Sequence, residues 1–559
     1  MGHMIHSSSD PAGDIFLFKW RPYVWIILAA SILYLRTLSF DITFLDDKQL
    51  ILDNYDFIGN VSNIPNAFLQ KVFHYTSAPY YRPLLTVSFM LDSLLFGRSI
   101  GLYHATNILI HIIGACLVFH FLSRLGYRRA SSFAMAALFA VHPVISQAVA
   151  WVPGRNDSLL AVFALASIIS FINYREHGRT LWAALHIFFL VLALFTKETA
   201  VMVIIVCMLY VCLIGPRKMS GSARLSLLLA WAFVVLAWLA LRQVALVATM
   251  EANVHGITMS IIRSMPAIIQ FAGKVLFPFN LSVFPTIPDT TFISGYASIL
   301  AITVLLALSS GKRMRYVIFG LLFFLAFLFP SLIRPTPECI LDFQEHRLYL
   351  PIVGLMIVLM EIDLVKRLDL RKMAAILPLV SIFIVFSVVN VAHSGNFKDR
   401  FTFWKNAVET SPNAPFVRMS AGFAYQMAGR LEEAEREYRN ALRLDPMIYG
   451  ARLKLGFLYR EKKALKEAEA EFKKHIAVEP SDDVAIMALG VVYYEQGRSD
   501  EAETMWRRAF MINPVNVNAA KNLAIYYKNK GDNKRALFFV NYLGRLGIKP
   551  PDEFMKSFK

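Results

Sequence analysis

The chain has 559 residues, 56% of them hydrophobic, and a formal net charge of +17; its mean hydropathy of +0.49 excludes an ordinary soluble globular protein. The basic excess does not indicate a nucleic-acid binder, because many Lys and Arg residues sit between long apolar runs, where they set membrane orientation. A disulfide framework is excluded as well: Cys116, Cys207 and Cys212 lie inside apolar runs and Cys339 is alone in a loop.

Two regimes follow along the chain. MGHM reads as a tag remnant, and residues 1–20 as a short segment on the inner side. The first apolar run is followed by DITFLDD rather than a small-residue cleavage site, so no cleavable signal peptide is expected. Residues 21–394 form the membrane domain. Crossing a bilayer takes about 20 apolar residues. The runs 22–39, 104–123, 130–148, 157–173, 180–196, 199–214, 224–241, 293–309, 314–333, 348–365 and 373–393 are therefore eleven expected spans. A further stretch, 265–278, is short and contains Lys274, and counting it would make twelve.

Charge decides between these counts. The loops SRLGYRRASS, NYREHGRT, GPRKMSGSAR, SGKRMR and KRLDLRK are basic and belong on the cytoplasmic side. Eleven spans with the N-terminus inside put all five there, so 265–278 is expected to be a re-entrant or surface-lying helix. The opposite face then carries 40–103, 149–156, the Lys197-Glu198 boundary, 242–292 and 334–347. These segments hold Asp46, Asp47, Arg82, His142, Arg155, Asp157, Lys197, Glu198, Glu345, His346 and Arg347. A single such charge is a snorkelling or loop residue. Gathered at one membrane boundary, they mark a polar site. Asn60, Asn156 and Asn280 open N-glycosylation triplets, which matter only in a secretory compartment.

Residues 395–559 are charged and amphipathic. Pro412, Pro446, Pro480 and Pro514 recur with a period of 34, in step with Gly422, Gly456 and Gly490, with Tyr425, Tyr459, Tyr493 and Tyr527, and with Ala434, Ala468, Ala502 and Ala536. Tyr438, Phe472 and Trp506 share one further position. This is the tetratricopeptide pattern of paired helices. It predicts repeats at 415–448, 449–482, 483–516 and 517–550, the last departing with Ala524 and Ile548 as a cap does. Trp404, Ala407 and Pro412 match half of an earlier repeat, so the array is expected to follow the last span without a flexible linker. Its concave groove suits an extended peptide or a partner protein.

Several ordered motifs accompany this layout. They are FLDDKQLILDNYDF, YYRPLL with Arg82-Pro83, HATNILIH with His104, Asn107 and His111, and AALFAVHPVISQAVAWVPGRNDSL with His142-Pro143 and Gly154-Arg155. TKET and EHRLYLP complete the set. Together they resemble the transmembrane, tetratricopeptide-containing protein O-mannosyltransferases. Gln147 and Asn156 depart from that family, which usually has Glu and Ala there, and the compact loops suggest a prokaryotic relative. The resemblance implies an all-α chain: a polytopic helical domain of C-type glycosyltransferase fold, followed by an α-solenoid. It implies transfer of a sugar, mannose, from a polyprenyl-phosphate donor to protein hydroxyls, with the repeats recruiting the acceptor. It also implies an inner membrane whose active site and repeats face the periplasm, or the equivalent ER lumen.

Such a transfer needs a base for the acceptor hydroxyl and cations for the departing phosphate. Asp46 or Asp47 is expected to be the base, the other orienting it or pairing with a cation; alternatively the pair caps a short helix. Arg82, Arg155, Lys197 and Arg347 are the candidate phosphate ligands, with an ion pair between Lys197 and Glu198 as the alternative reading of that lysine. His142, Glu198, Glu345 and His346 are expected to support them, with Glu345 holding Arg347. His104, Asn107 and His111 share a helix face and serve as interhelical hydrogen-bond partners or as metal ligands. No metal is demanded, and no cofactor beyond the lipid-linked donor. A ligase for whole lipid-linked glycans and a non-catalytic membrane scaffold are the competing readings. Product mass separates the first from the proposal, and donor binding separates the second.

Overall fold

The computed structural model describes residues 17–73, 80–215, 219–246, 254–333 and 342–548. The tag remnant, Cys339 and residues 334–341 of the expected outer loop lie outside the described residues. The chain divides into two compact units, Met1–Ser411 and Pro412–Lys559. Every regular element among the described residues is helical, and a single isolated bridge joins Thr286 to Asp342.

The first unit folds as apolar runs must when no water is present to satisfy their backbone. Six of its described helices are long and apolar enough to cross a membrane: Arg21–Ser39, Ile100–Arg124, Val152–His177, Gly221–Ala245, Met314–Leu332 and Met373–Phe397. The pair Arg129–Val141 and Pro143–Ala150, bent by 49° at His142-Pro143, makes a seventh if it is one crossing. The remaining expected spans are shorter. Thr180–Thr196, Glu198–Leu213 and Ile293–Leu308 fall below that length. The run at 348–365 contains only the eight-residue helix Ile352–Leu359. Protein encloses this helix, so the length rule for lipid-exposed helices does not bind it. A Cβ on Gly354 would lie 2.5 Å from Gly320 O, which shows how closely the two backbones pass. The stretch read as re-entrant or surface-lying forms the ten-residue helix Ala267–Leu276, too short to cross and largely buried in protein. Two described helices of more than ten residues were not expected: Pro83–Phe96, started by Pro83, lies within the first loop, and Val254–Ser264 precedes Ala267–Leu276.

Loop contacts sort the unit into two ends. At one end Arg124 pairs with Glu176, and Arg129 donates to Leu17 O at 2.6 Å and to Lys19 O. There too Ser131 donates to Val365 O at 2.8 Å, and Arg313 pairs with Glu361 at 2.6 Å. The described basic loops thus gather together. Asp46, Arg82, Lys197 and Arg347 belong to connections at the other helix ends. The helix Arg400–Thr410, which matches half a repeat in sequence, belongs to this first unit. Thr410 bonds Ser282 at 2.6 Å, Asn406 accepts from Val283 N at 3.2 Å, and Ser411 donates to Phe284 O at 2.7 Å.

Among its described residues the second unit is four helix pairs, from Pro415–Met427 with Leu431–Leu444 to Val517–Asn529 with Asn533–Arg545. The 34-residue pattern has a direct physical cause. A Cβ on Gly422, Gly456 or Gly490 would meet the ring of Tyr438, Phe472 or Trp506 at 2.6–2.7 Å. Each glycine is the seat of the aromatic that closes its own helix pair. In the last repeat Val540 stands at the aromatic position, and Ala524 replaces the glycine opposite it.

Candidate active site

The FLDDKQLILDN stretch does begin a short helix, the π-helical turn Lys48–Leu52, but neither carboxylate caps it. Asp47 reaches backwards. Its Oδ1 accepts from Thr43 N at 2.8 Å and Phe44 N at 3.1 Å, and its Oδ2 accepts from Thr43 Oγ1 at 2.7 Å and Trp151 Nε1 at 3.4 Å. Burial pushes its carboxyl up, against the pull of these bonds. It is 1% exposed and serves to lock the turn. Phe44, inside that turn, has φ of 61°, a left-handed conformation that costs a non-glycine residue about 1–2 kcal/mol.

Asp46 differs in exposure and in partners. It is partly exposed, and among the described residues its carboxylate accepts no hydrogen bond. Burial and then the neighbouring Asp47 push it up to about 7, with Arg82 and Arg347 pulling the other way. A carboxylate that is free, reachable and half-ionised near neutral pH is what a general base requires.

Three of the four expected cations surround this region, each held by an acid. Arg82 grips Glu198 with both arms, at 2.7 and 3.2 Å, and stacks over Tyr80 at 4.5 Å. Lys197 Nζ bridges both oxygens of Asp157 at 2.7 and 2.8 Å. Arg347 reaches Asp342 at 3.4 Å and Ser331 O at 3.3 Å. Lys197 thus pairs with Asp157, and Glu198 with Arg82, not with each other. The His346 ring sits 3.7 Å from Asp157 and against the Trp151 ring, and the residue's backbone N–H donates to Gln147 Oε1 at 3.2 Å. Asp157, Lys197, Thr199, Ser331 and Arg347 line one pocket, with an apolar wall that includes Leu160, Phe327 and Leu350.

Other expectations need correction. Arg155 is fully buried, and its guanidinium is already committed. It pairs with Asp92 at 2.6 Å and donates to Asn107 Oδ1 at 2.6 Å and Tyr103 O at 2.8 Å. It braces the unexpected Pro83–Phe96 helix and has no face left for a donor phosphate. Glu345 does not hold Arg347. It accepts from Lys274 at 2.6 Å and Ser282 N at 2.9 Å, and lies 3.2 Å from His393. His142 is buried at the bend, its Nε2 bonded to Val275 O at 3.0 Å. His111 lies between Tyr349 OH and Ala140 O at 2.8 and 2.9 Å, an interhelical brace. Among the described residues no group of three or more His, Cys, Asp or Glu is placed to hold a metal. The sequence reading missed Asp92, Asp342 and Thr43. Only Thr43 left a local signal, a hydroxyl four residues ahead of the carboxylate it binds.

Tetratricopeptide-repeat family models match residues 422–483 and 487–508. The protein O-mannosyl-transferase Tmtc1 of Drosophila melanogaster is 34% identical over 189 residues, covering 32% of this chain and 21% of the relative. The chain resembles the protein O-mannosyl-transferases. A second such relative, TMTC3 of Mus musculus, is 30% identical over 207 residues, 35% of this chain and 22% of its own length. This chain thus spans about a fifth of the O-mannosyl-transferases it matches. Among solved structures, MamA of Desulfovibrio magneticus RS-1 aligns with 26% of this chain and 84% of its own at 20% identity and a TM-score of 0.25.

Proposed function

We propose that this multi-pass membrane chain is a glycosyltransferase that moves one sugar, mannose, from a polyprenyl-phosphate donor to a hydroxyl of a polypeptide. The repeats recruit the acceptor, and the membrane unit has the C-type glycosyltransferase fold. The observation that carries the reading is the contrast within the acidic pair: a free, partly exposed Asp46 beside Arg82 and Arg347, on a turn locked by Asp47. The names of the relatives support the choice of sugar and of a protein acceptor.

In this account the donor's phosphate meets Arg82, Lys197 and Arg347 at the membrane boundary, and its hydrocarbon tail stays in the bilayer. Asp46 takes the proton of the acceptor hydroxyl as its oxygen attacks the anomeric carbon. The bond from that carbon to the phosphate oxygen breaks, and the electron pair leaves with the phosphate, whose added charge the cations stabilise. Among the described residues Asp47, Glu198 and Asp157 are tied to partners, which favours direct attack by the hydroxyl over a covalent intermediate. A single displacement inverts the anomeric configuration.

The direct test is to purify the protein in mild detergent, extract its bound lipid and weigh it. A polyprenyl-phosphate hexose is expected, and its loss in Arg347→Ala. A pyrophosphate-linked oligosaccharide would establish a glycan ligase instead, and absence of any glycolipid, with transfer also absent, would leave a scaffold.

A further inference from the structure

The turn that presents Asp46 is strained, and its clamp comes from a distant part of the chain. Phe44 is one of three non-glycine residues with positive φ among those described, with Lys19 and Lys463, and the only one of the three beside the acidic pair. The guanidinium of Arg400 lies over its ring at 3.7 Å from the centroid. Arg400 Nη1 is buried and donates to no group among the described residues, so the aromatic face is what this nitrogen meets. The same segment holds the turn's other flank, since Asp41 N donates to Lys398 O at 2.8 Å. Arg400 itself is fixed. It opens the helix Arg400–Thr410, whose cap, Asp399, accepts from Thr402 N at 2.8 Å and whose far end is bonded to Ser282 and Phe284.

We propose that Arg400 is a positioning residue: by stacking on Phe44 it holds the left-handed turn from which Asp46 reaches the substrate. It touches neither donor nor acceptor and acts through Phe44. The inference rests on the reading of Asp46 as the base. Arg400 lies eleven residues ahead of Ser411, where the first unit ends, so the clamp comes from the stretch of chain that leads into the repeats.

The test is a double-mutant cycle in the full-length chain. Arg400→Ala is expected to lower kcat about 10- to 100-fold, the scale of a misplaced catalytic group, with the donor KM unchanged. Phe44→Gly removes the ring and the strain together, because glycine adopts this conformation freely, and sets the reference background. In that background Arg400→Ala should have no further effect. Equal losses in both backgrounds, or a raised KM, would overturn the proposal, the latter by making Arg400 a substrate ligand. Arg400→Gln keeps the side chain's length and repeats the test should the alanine variant fold poorly. A readout independent of activity is the rate at which a membrane-impermeant maleimide labels an Asp46→Cys variant, with the unsubstituted chain as control. Arg400→Ala should change that rate several-fold with Phe44 present and not with Phe44→Gly. An unchanged rate refutes the clamp. A changed rate, with no transferase activity in the parent chain that carries Asp46, refutes the proposed function alone.

Discussion

Asp47 accepts from Thr43, Phe44 and Trp151, whereas its neighbour Asp46 accepts from none of the described residues. Substitution should separate them. Asp46→Asn is expected to lower transfer by about 100- to 10,000-fold without loss of Tm, the range for a general base. Asp47→Asn should lower Tm, since it weakens acceptance from two backbone N–H groups of a strained turn. The elevated Asp46, at about 7, also sets a pH dependence. The working form is the anion, so kcat/KM should rise with pH through about 7 and plateau above it, and Asp46→Asn should abolish that limb. The stability sign is the opposite. A carboxyl raised above its unfolded value contributes stability below about pH 4 that is lost as pH rises through 7. Asp46→Asn should therefore raise Tm at pH 8 relative to the parent and change it less at pH 5. What sequence alone left open here was direction. Adjacent residues look equivalent in a string, and only the backward hydrogen bonds to Thr43 and Phe44 distinguish them.

The helix Pro83–Phe96 illustrates what is lost at the level of elements. Arg155 and Arg347 read alike, as cations at a membrane boundary, until that helix brings Asp92 to Arg155. Removing one member of a buried pair costs about 3–5 kcal/mol. Arg155→Ala should therefore reduce folded yield and Tm, whereas Arg347→Ala should fold normally and lose donor affinity; thermal melts and glycolipid retention check both. Span lengths were illegible for a related reason, because the rule of 20 residues holds against lipid and the enclosed Ile352–Leu359 is packed against Gly320. The repeats were legible because their period is written in the residues that touch. Gly456→Ala, whose Cβ would lie 2.6 Å from the Phe472 ring, should cost about 1–3 kcal/mol, measurable as a lower Tm.

Across the whole molecule, described basic loops meet at one end of the membrane unit, while Asp46 and its cations lie on connections at the opposite helix ends. Charge asymmetry made this division readable, since loop charge follows sidedness whatever the helix lengths. Single cysteines at Asp53 and at Arg371 should accordingly label from opposite sides of sealed vesicles. The most direct measurement of the central claim is transfer of hexose from a purified polyprenyl-phosphate mannose to a polypeptide, followed by intact mass, for the parent chain, Asp46→Asn and Asp47→Asn. The account predicts single-hexose increments from the parent, none from Asp46→Asn, and reduced but detectable transfer from Asp47→Asn. Parent-level transfer by Asp46→Asn would contradict it.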